Sequence, residues 1–381
     1  MASLTYETKT MKPDVYELVT NITAAIKYAV LTQYFSRGEC TGVYHQWPSD
    51  TLRTGKKNTL HEITEWKDLV KKTRDRRMLG NYIQEIGDGA TVSNRLQKAL
   101  KYGVKDEIGY QIDLTMQAVG RDLEWALTLN QTTQEETATN CSEMGGMPYF
   151  LGGYCTKAFT ANSGETIITA TAHNFDTGDQ VTVYTGAGGT LPGGIAQNGI
   201  YWISVVTDNT MRIHNDPGDA WQGINPITFS STSVGTVNIT TANVQIESEF
   251  NENALNNLLE KCFLQGGNPD IIVMSTANKA KTSTWTAGSL KNRDMTTKKL
   301  VMKVDFYESD YGDVALIPSR TYAKDNTSIM AIETQFGRVA VYDPFHVEDL
   351  PVTGNYKGKV IDGTATLEFR APKSSGMLKI G

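Results

Sequence analysis

Cysteine is scarce in this chain, and its spacing excludes the roles that cysteine most often plays. The 381 residues include four cysteines, Cys40, Cys141, Cys155 and Cys262. No two of them form a CxxC pair, so the spacing suits neither a zinc site nor a dense disulfide framework. We expect free thiols in a protein assembled in a reducing cytoplasm. A Cys141–Cys155 pair across the glycine-rich loop between them is the less favoured alternative.

Long apolar runs are missing as well. No stretch approaches the roughly 18 consecutive apolar residues that a membrane-spanning helix needs. The first ten residues, MASLTYETKT, lack the apolar core of a signal peptide. We therefore expect neither a membrane segment nor secretion.

The sequence also lacks signatures of catalysis and metal binding. It contains no GxSxG, HExxH or Walker A motif, and the nearest phosphate-loop mimic, Gly354–Lys359, has the wrong spacing. The histidines are dispersed, at His45, His61, His173, His214 and His346. We expect them at the surface or satisfied in the core, and we expect no metal, no cofactor and no catalytic residue.

The charge balance limits contact with nucleic acid. The formal net charge is −6, whereas proteins that wrap DNA tightly are basic because phosphate contacts supply most of their affinity. Any contact with double-stranded DNA is therefore expected to be non-specific.

One helix is strongly indicated, over residues 105–130. Apolar residues recur there at steps of three or four, and acids stand in its first turn. This apolar face consists of Ile108, Ile112, Met116, Val119, Leu123 and Leu127. A helix of this length is a structural spine. Upstream, a short amphipathic segment over Val15–Tyr34 belongs to an arm.

Residues 157–242 have a different composition, rich in Thr, Gly, Asn and Val, with period-two alternation and turn signals. This pattern predicts a small all-β domain without helices, inserted into another fold. We expect it to fold autonomously, to face outward and to be dispensable for the basic assembly of the rest of the chain.

Mixed helix and strand patterns resume after the insertion. Helices are predicted over Asn253–Gln265, ending at Gly266-Gly267, and over Ala277–Trp285, capped by Thr276 or Ser275. The predicted strands are Asp270–Ser275, Lys299–Tyr307, Asp313–Pro318, Ser328–Glu333, Arg338–Asp343 and Gly363–Arg370. A short tail is expected to end the chain.

A strongly basic stretch at 51–105 predicts an extended hairpin that cannot form a core alone. Its candidate functional residues are Lys71, Lys72, Arg74, Arg76 and Arg77. We favour contact with an acidic neighbouring subunit, then a solvated face, then nucleic acid, because interleaved aromatic residues are few.

The order of elements and several strings resemble the major capsid proteins of tailed bacteriophages, with the fold shared by Hong Kong phage ninety-seven and the herpesvirus capsids. The matching strings are RMLGNYIQ (Arg77–Gln84), KDEIGYQ (Lys105–Gln111), GRDLE (Gly120–Glu124), GGNPD (Gly266–Asp270), VDFYESDYG (Val304–Gly312) and GTATLEFRAPK (Gly363–Lys373). The resemblance covers nearly everything outside 157–242.

The resemblance implies an α+β fold of six parts. They are an N-terminal arm (1–60), an extended-loop hairpin (61–104), a peripheral domain with the spine helix (105–156), the inserted all-β domain (157–242), an axial domain (243–350) and a C-terminal strand and tail (351–381). It implies hexamers and pentamers of an icosahedral head, assembled in the host cytoplasm. The implied partners are the chain itself and scaffold, portal and decoration proteins.

Two other classes remain as alternatives. Another phage structural subunit, of the tail or a decoration, is disfavoured by the spine helix following a basic extended loop. An enzyme with a β accessory domain is disfavoured by the missing nucleophile, metal and phosphate signatures.

Overall fold

The computed structural model of the protein describes residues 30–49, 62, 77–99, 106–153, 156–173, 175–186, 188–241, 243–285, 306–321, 327–351 and 354–380. For Arg77 and Thr241 it describes the backbone alone. The described α-helices are α1 (Leu31–Tyr34), α2 (Asn94–Lys98), α3 (Glu107–Leu129), α4 (Pro217–Gln222), α5 (Glu252–Leu264) and α6 (Thr276–Thr282).

The strands of the described residues form four sheets. In chain order they are β1 (Ser36–Glu39), β2 (Tyr44–Ser49), β3 (Arg77–Tyr82), β4 (Gln84–Ser93), β5 (Lys157–Ala158), β6 (Thr160–Ala161), β7 (Ile167–Thr169), β8 (Gln180–Thr185), β9 (Ile200–Thr207), β10 (Thr210–His214), β11 (Val237–Thr241), β12 (Val244–Glu247), β13 (Ile271–Met274), β14 (Phe306–Ser309), β15 (Gly312–Pro318), β16 (Ser328–Ile332), β17 (Gly337–Asp349), β18 (Tyr356–Phe369) and β19 (Gly376–Ile380).

Helix α3 confirms the helix predicted over 105–130. Val119, Leu123 and Leu127 of the predicted apolar face are buried, whereas Met116 is 48% exposed. The helix packs against β4 and β18. The apolar face therefore enters the core over its second half.

A four-stranded sheet lies against α3, in the order β1-β17-β18-β4. Strand β1 runs parallel to β17, and the other pairs are antiparallel. The pairing of β17 with β18 extends from Gly337 opposite Phe369 to Asp349 opposite Lys359. Both strands are longer than predicted because the pairing continues past two shifts of register between Val341 and His346.

A second sheet has six strands, in the order β12-β19-β16-β13-β15-β14. Strand β13, fully buried as predicted, and helix α5 contribute to one apolar core. Helix α5 ends at Leu264, shortly before Gly266, whose φ is 84°. Ser275 caps α6 by accepting from the Asn278 amide at 3.2 Å. The part of the predicted strand Lys299–Tyr307 that precedes Phe306 lies outside the described residues.

The expected C-terminal tail is wrong. Residues Gly376–Ile380 form β19, which lies between β12 and β16, with Met377 and Leu378 buried. The strand has only five residues and follows a proline and two serines. An alternation of apolar and polar residues this short cannot be distinguished from an irregular chain end.

Residues 157–241 form a closed unit built mainly of β-strands. Its sheet has the order β5-β11-β8-β9-β10-β7-β6, and Phe159 alone separates β5 from β6. One continuous stretch thus pairs with β11 at its start and with β7 at its end. Since both sheet edges belong to this stretch, the sheet closes into a small barrel with its own apolar core. We refer to residues 157–241 as the inserted barrel.

One prediction for the inserted barrel is wrong, because α4 interrupts its strands. Asp216 caps this helix by accepting from the Gly218 amide at 2.7 Å, Pro217 is its first residue, and Gly223 ends it at a φ of 69°. The helix is too short to show an apolar period, although the order cap, proline and closing glycine is typical of a helix.

Strands β2 and β3 form an antiparallel hairpin, with Tyr44 opposite Tyr82 and Ser49 opposite Arg77. Residues 50–76 connect these two strands along the chain. The hairpin thus begins within the segment assigned from sequence to the arm, ahead of the expected boundary at residue 61. Strand β4, expected in this hairpin, pairs instead with β18.

Candidate functional site

The hairpin of β2 and β3 is held at its base by the amide of Asn81. Its Nδ2 donates to the carbonyl oxygens of Gly145 and Leu367, each at 2.9 Å. Its Oδ1 accepts from the Gly145 amide at 2.8 Å and from Thr133 Oγ1 at 3.1 Å. Asn81 is fully buried, so both donors and both acceptor positions of its amide are satisfied where the hairpin leaves the body.

Apolar packing continues this attachment. Trp47 and Leu79, opposite each other in the hairpin, are buried in the main core. The Trp47 ring lies 5.8 Å from that of Phe150. The root of the hairpin is therefore built rigidly into the body of the subunit.

The five basic residues proposed from sequence belong to the stretch of chain that precedes and opens β3. Lys71, Lys72, Arg74 and Arg76 are outside the described residues, and Arg77 opens β3 with its side chain undescribed. The backbone of Arg77 pairs with Ser49, the last residue of β2. The structure thus shows where the basic segment joins the body but does not place its side chains.

A buried carboxylate links the hairpin to the four-stranded sheet. Glu368 on β18 lies 3.0 Å from His45 Nε2 of β2 and accepts from Arg370 Nε at 2.6 Å. Arg338 Nη1 lies 4.0 Å away. Burial alone would raise the pKa of Glu368, but the hydrogen bonds from His45 and Arg370 outweigh burial and hold the pKa below its usual value.

The face of this sheet opposite α3 carries a group of carboxylates. Ile86 and Ile361 point into the core, so their neighbours Glu85 and Asp362 point to the other side of the sheet. Glu348 lies opposite Val360 and Asp343 opposite Thr364, which by the same alternation places them on that side. We call Glu85, Asp343, Glu348 and Asp362 the acidic face.

His346 lies within the acidic face. Its Nε2 is 3.3 Å from Glu348 Oε1 and 3.6 Å from Asp362 Oδ1. A hydrogen bond with the Pro344 carbonyl and one with Glu348 raise the pKa of His346. Protonation of His346 therefore offsets part of the negative charge as pH falls.

The start of α1 is attached to α3 by Glu124. This buried carboxylate accepts from the Val30 amide at 2.9 Å, the Leu31 amide at 2.8 Å and both the amide and hydroxyl of Thr32. These amides are the free donors at the start of α1. The Glu124 carboxylate of α3 thus caps α1, in place of a side chain at the N-cap position of α1 itself.

No catalytic or metal constellation occurs among the described residues. No group of three or more His, Cys, Asp or Glu side chains there could hold a metal ion. His214 is fully buried and lies 2.8 Å from Ser204 Oγ and 2.9 Å from the Ile224 carbonyl. This Ser-His pair lies between β9, β10 and the loop after α4, and its serine is buried too. Within the described stretches, no helix is long and apolar enough to cross a membrane.

Comparison with known proteins identifies the family. A model of the SU10 major capsid protein family matches residues 2–380. The chain belongs to this family. It is the major capsid protein of a phage head. No curated protein sequence matches it.

Solved structures share the capsid fold at low sequence identity. The capsid of an empty GTA particle, computed with C5 symmetry, has a TM-score of 0.53 at 9% identity, covering 100% of both chains. A structure of Mycobacterium phage Adephagia has a TM-score of 0.50 at 10% identity, covering 100% of this chain and 98% of that one. One of Mycobacterium phage Bobi has a TM-score of 0.51 at 9% identity, covering 98% and 97%.

Sequence reasoning missed the residues that hold this capsid protein's parts together. Asn81, Glu124 and Glu368 are isolated polar residues in apolar or β-rich sequence. The partners of Glu124 lie 92 to 94 positions away, and one partner of Asn81 lies 286 positions away. The sequence signal was a lone polar residue on an otherwise apolar face, which does not reveal its partner.

Proposed function

We propose that this major capsid protein forms the hexamers and pentamers of an icosahedral head around double-stranded DNA, and that the basic segment holds adjacent subunits together. In this proposal Lys71, Lys72, Arg74, Arg76 and Arg77 of one subunit contact the acidic face of a neighbour. The role of the protein in this proposal is structural, without catalysis. The similar GTA capsid was computed with C5 symmetry, in agreement with fivefold capsomers.

The observation that carries the proposal is the acidic face, whose charge is opposite to that of the basic segment in the sequence. The acidic face presents four carboxylates on one side of the sheet, while Lys357 and Lys359 point toward the α3 side by strand alternation. The basic segment extends from a hairpin root that Asn81 fixes to the body. A rigid base limits the directions in which the segment can leave the subunit, which reduces the entropy lost on docking.

Opposite charges across an interface steer encounter and fix register. The proposed contact therefore strengthens correct subunit pairing, and its effect weakens with added salt. The six domains expected from sequence are proposed as the working division, with the hairpin extended upstream to residue 44. Assembly in the host cytoplasm with scaffold, portal and decoration proteins completes the proposal.

Charge reversal tests the contact. Glu substitutions at the five basic residues should abolish closed shells in electron micrographs while the subunit keeps a cooperative unfolding transition. Lys substitutions at Glu85, Asp343, Glu348 and Asp362 should do the same. A matched control changes four exposed carboxylates elsewhere: Asp208, Glu249, Glu308 and Asp313.

Combining the two sets of reversals separates the alternatives. Restored shells support a direct contact between the basic segment and the acidic face. Normal shells from the first variant alone would refute the proposal. Shells that form normally but retain less DNA would instead assign the basic segment to nucleic acid.

A further inference from the structure

The six-stranded sheet has an edge at β12, next to β19. The Met377 amide of β19 donates to the Asn243 carbonyl at 2.8 Å, and β12 and β19 are parallel with Val244 opposite Met377 and Ile246 opposite Lys379. In a parallel ladder with this register, the backbone groups of Gln245 face β19 and those of Val244 and Ile246 face away. Such outward-facing groups are a template for pairing with another strand.

The inserted barrel covers this edge through Asn198. Its Nδ2 donates to the carbonyl of Ile246 at 2.7 Å, one of the groups that face away from β19. Asn198 has a φ of 59°, a left-handed conformation that asparagine tolerates better than most residues. Its own amide donates to Val183 of the barrel at 2.9 Å. The barrel therefore holds this side chain in place over the edge.

A partly buried ion pair makes a second attachment close to this edge. Lys373 Nζ lies 2.7 Å from Asp179 Oδ1, and the Asp179 side chain is 4% exposed. Asp179 precedes β8 of the barrel, and Lys373 lies in the turn that leads into β19. The barrel is thus attached to β12 by Asn198 and to the turn before β19 by Asp179. Two attachments at separate points fix its orientation.

We propose that the inserted barrel is a cap on the outer edge of the six-stranded sheet, positioned by Asn198 and Asp179, and that uncapping lets β12 pair with β12 of a second copy. The barrel suits this role because its own sheet closes and offers no long free edge. Antiparallel pairing of one strand with its copy needs no other partner, since a two-fold contact uses the same surface twice. The cap keeps subunits from an edge-to-edge pairing that competes with shell assembly.

The test uses the full-length chain below its assembly concentration. Asn198→Gly removes the amide but accepts the positive φ, and Asp179→Asn removes the charge at nearly constant size. The double variant should shift from monomer to dimer in sedimentation, because the Ile246 carbonyl then has no donor from the barrel. Asn225→Gly is the matched control, because Asn225 is also in the barrel with a φ of 50°.

A third change identifies the dimer surface. Ile246→Pro removes an N–H that the register leaves out of the β19 ladder, so it blocks edge pairing without breaking that ladder. Added to the double variant, it should restore monomers. A double variant that stays monomeric, or dimers that persist with Ile246→Pro, would overturn the proposal. If the double variant does not fold, the Asn198→Gly variant is tested alone, and it should likewise form dimers that Ile246→Pro returns to monomers. The basic segment takes no part in this assay, so failure here leaves the charge-reversal test unaffected.

Discussion

Thr32 donates both its backbone amide, at 3.0 Å, and its hydroxyl, at 2.7 Å, to one carboxylate oxygen of Glu124. The other carboxylate oxygen accepts from the Val30 and Leu31 amides. One side chain of α3 therefore satisfies the amides at the start of α1 and fixes the position of α1 on the body.

Glu124→Ala should destabilise the subunit by about 2–4 kcal/mol, because several donors lose their acceptor in a buried setting. Glu124→Gln should cost less, since one acceptor oxygen remains. Urea unfolding of the subunit measures both. Asp113→Asn, at an exposed position on the same helix, is the control and should change stability by less than about 0.5 kcal/mol. Equal stabilities for Glu124→Ala and the unaltered chain would contradict this role.

The stability of the inserted barrel should fall as pH drops below about 6.5, the ordinary histidine value. Burial lowers the pKa of His214, outweighing the opposing effects of the Ile224 carbonyl and Asp219. Below pH 6.5 the unfolded chain binds a proton that the folded barrel does not, so stability present above that pH is lost as pH falls.

Hydrogen exchange in β10 at pH 7.5 and 5.5, corrected for intrinsic rates, measures the effect on the barrel. His346→Gln should leave the pH dependence unchanged, because His346 lies on β17 outside the barrel. Equal protection of β10 at the two pH values would refute the assignment to His214.

Replacing the buried Lys261 should stabilise the protein. Its Nζ has no hydrogen-bond partner among the residues that the structure describes, and burial lowers its pKa to about 8. At pH 7 the folded state thus carries a desolvated charge, and Lys261→Met should raise the free energy of unfolding by about 1–2 kcal/mol. Since the unfolded lysine binds more protons than the folded one between pH 8 and about 10.4, the gain should shrink across that range.

Thermal unfolding at pH 7 and pH 10 gives the comparison. Lys281→Met, at an exposed position of α6, is the matched control and should have little effect at either pH. A destabilised Lys261→Met variant would mean that the ammonium group is better satisfied than its contacts indicate.

The sequence predicted the elements whose signal is local and regular. Helix α3 and strand β13 were found because their apolar residues repeat over a helical or strand length. Strand β19 and helix α4 were missed because each is short. The pairing of β2 with β3 was not predicted, since residues 50–76 separate the two strands and no turn motif joins them. Contacts such as Asn81 with Leu367 depend on the final fold and have no local signature.

The cysteines should remain reduced in the shell and differ in reactivity. Cys40 and Cys262 are buried and Cys141 is exposed, and all three are free thiols. Burial raises the pKa of the Cys262 thiol to about 12, so very little reactive thiolate forms at neutral pH. Iodoacetamide on native shells should label Cys141 and spare Cys40 and Cys262, with complete labelling after denaturation as the control. A stoichiometric disulfide in unreduced particles would contradict the prediction.

The inserted barrel should fold when expressed alone as residues 157–241. Fourteen buried residues form its core, and the two attachments to the body, through Asn198 and Asp179, lie outside that core. We expect a cooperative thermal transition and a β-type circular dichroism spectrum. Ile203→Asp, which places a charge at a fully buried core position, should abolish the transition and serves as the control for the isolated barrel.

Replacing the barrel with a short Gly/Ser linker should leave a chain that still assembles, with lower stability. Lys373 loses Asp179 in this variant, but its side chain is 27% exposed and can be solvated. The larger cost is the uncovered edge of β12, where Ile246 loses the donor supplied by Asn198. Shells should therefore form more completely when Ile246→Pro accompanies the deletion, because proline blocks pairing at that edge. Electron microscopy and sedimentation of the two deletion variants measure this. An unfolded isolated barrel, together with loss of assembly in both deletion variants, would show that the barrel is an integral part of the shell wall.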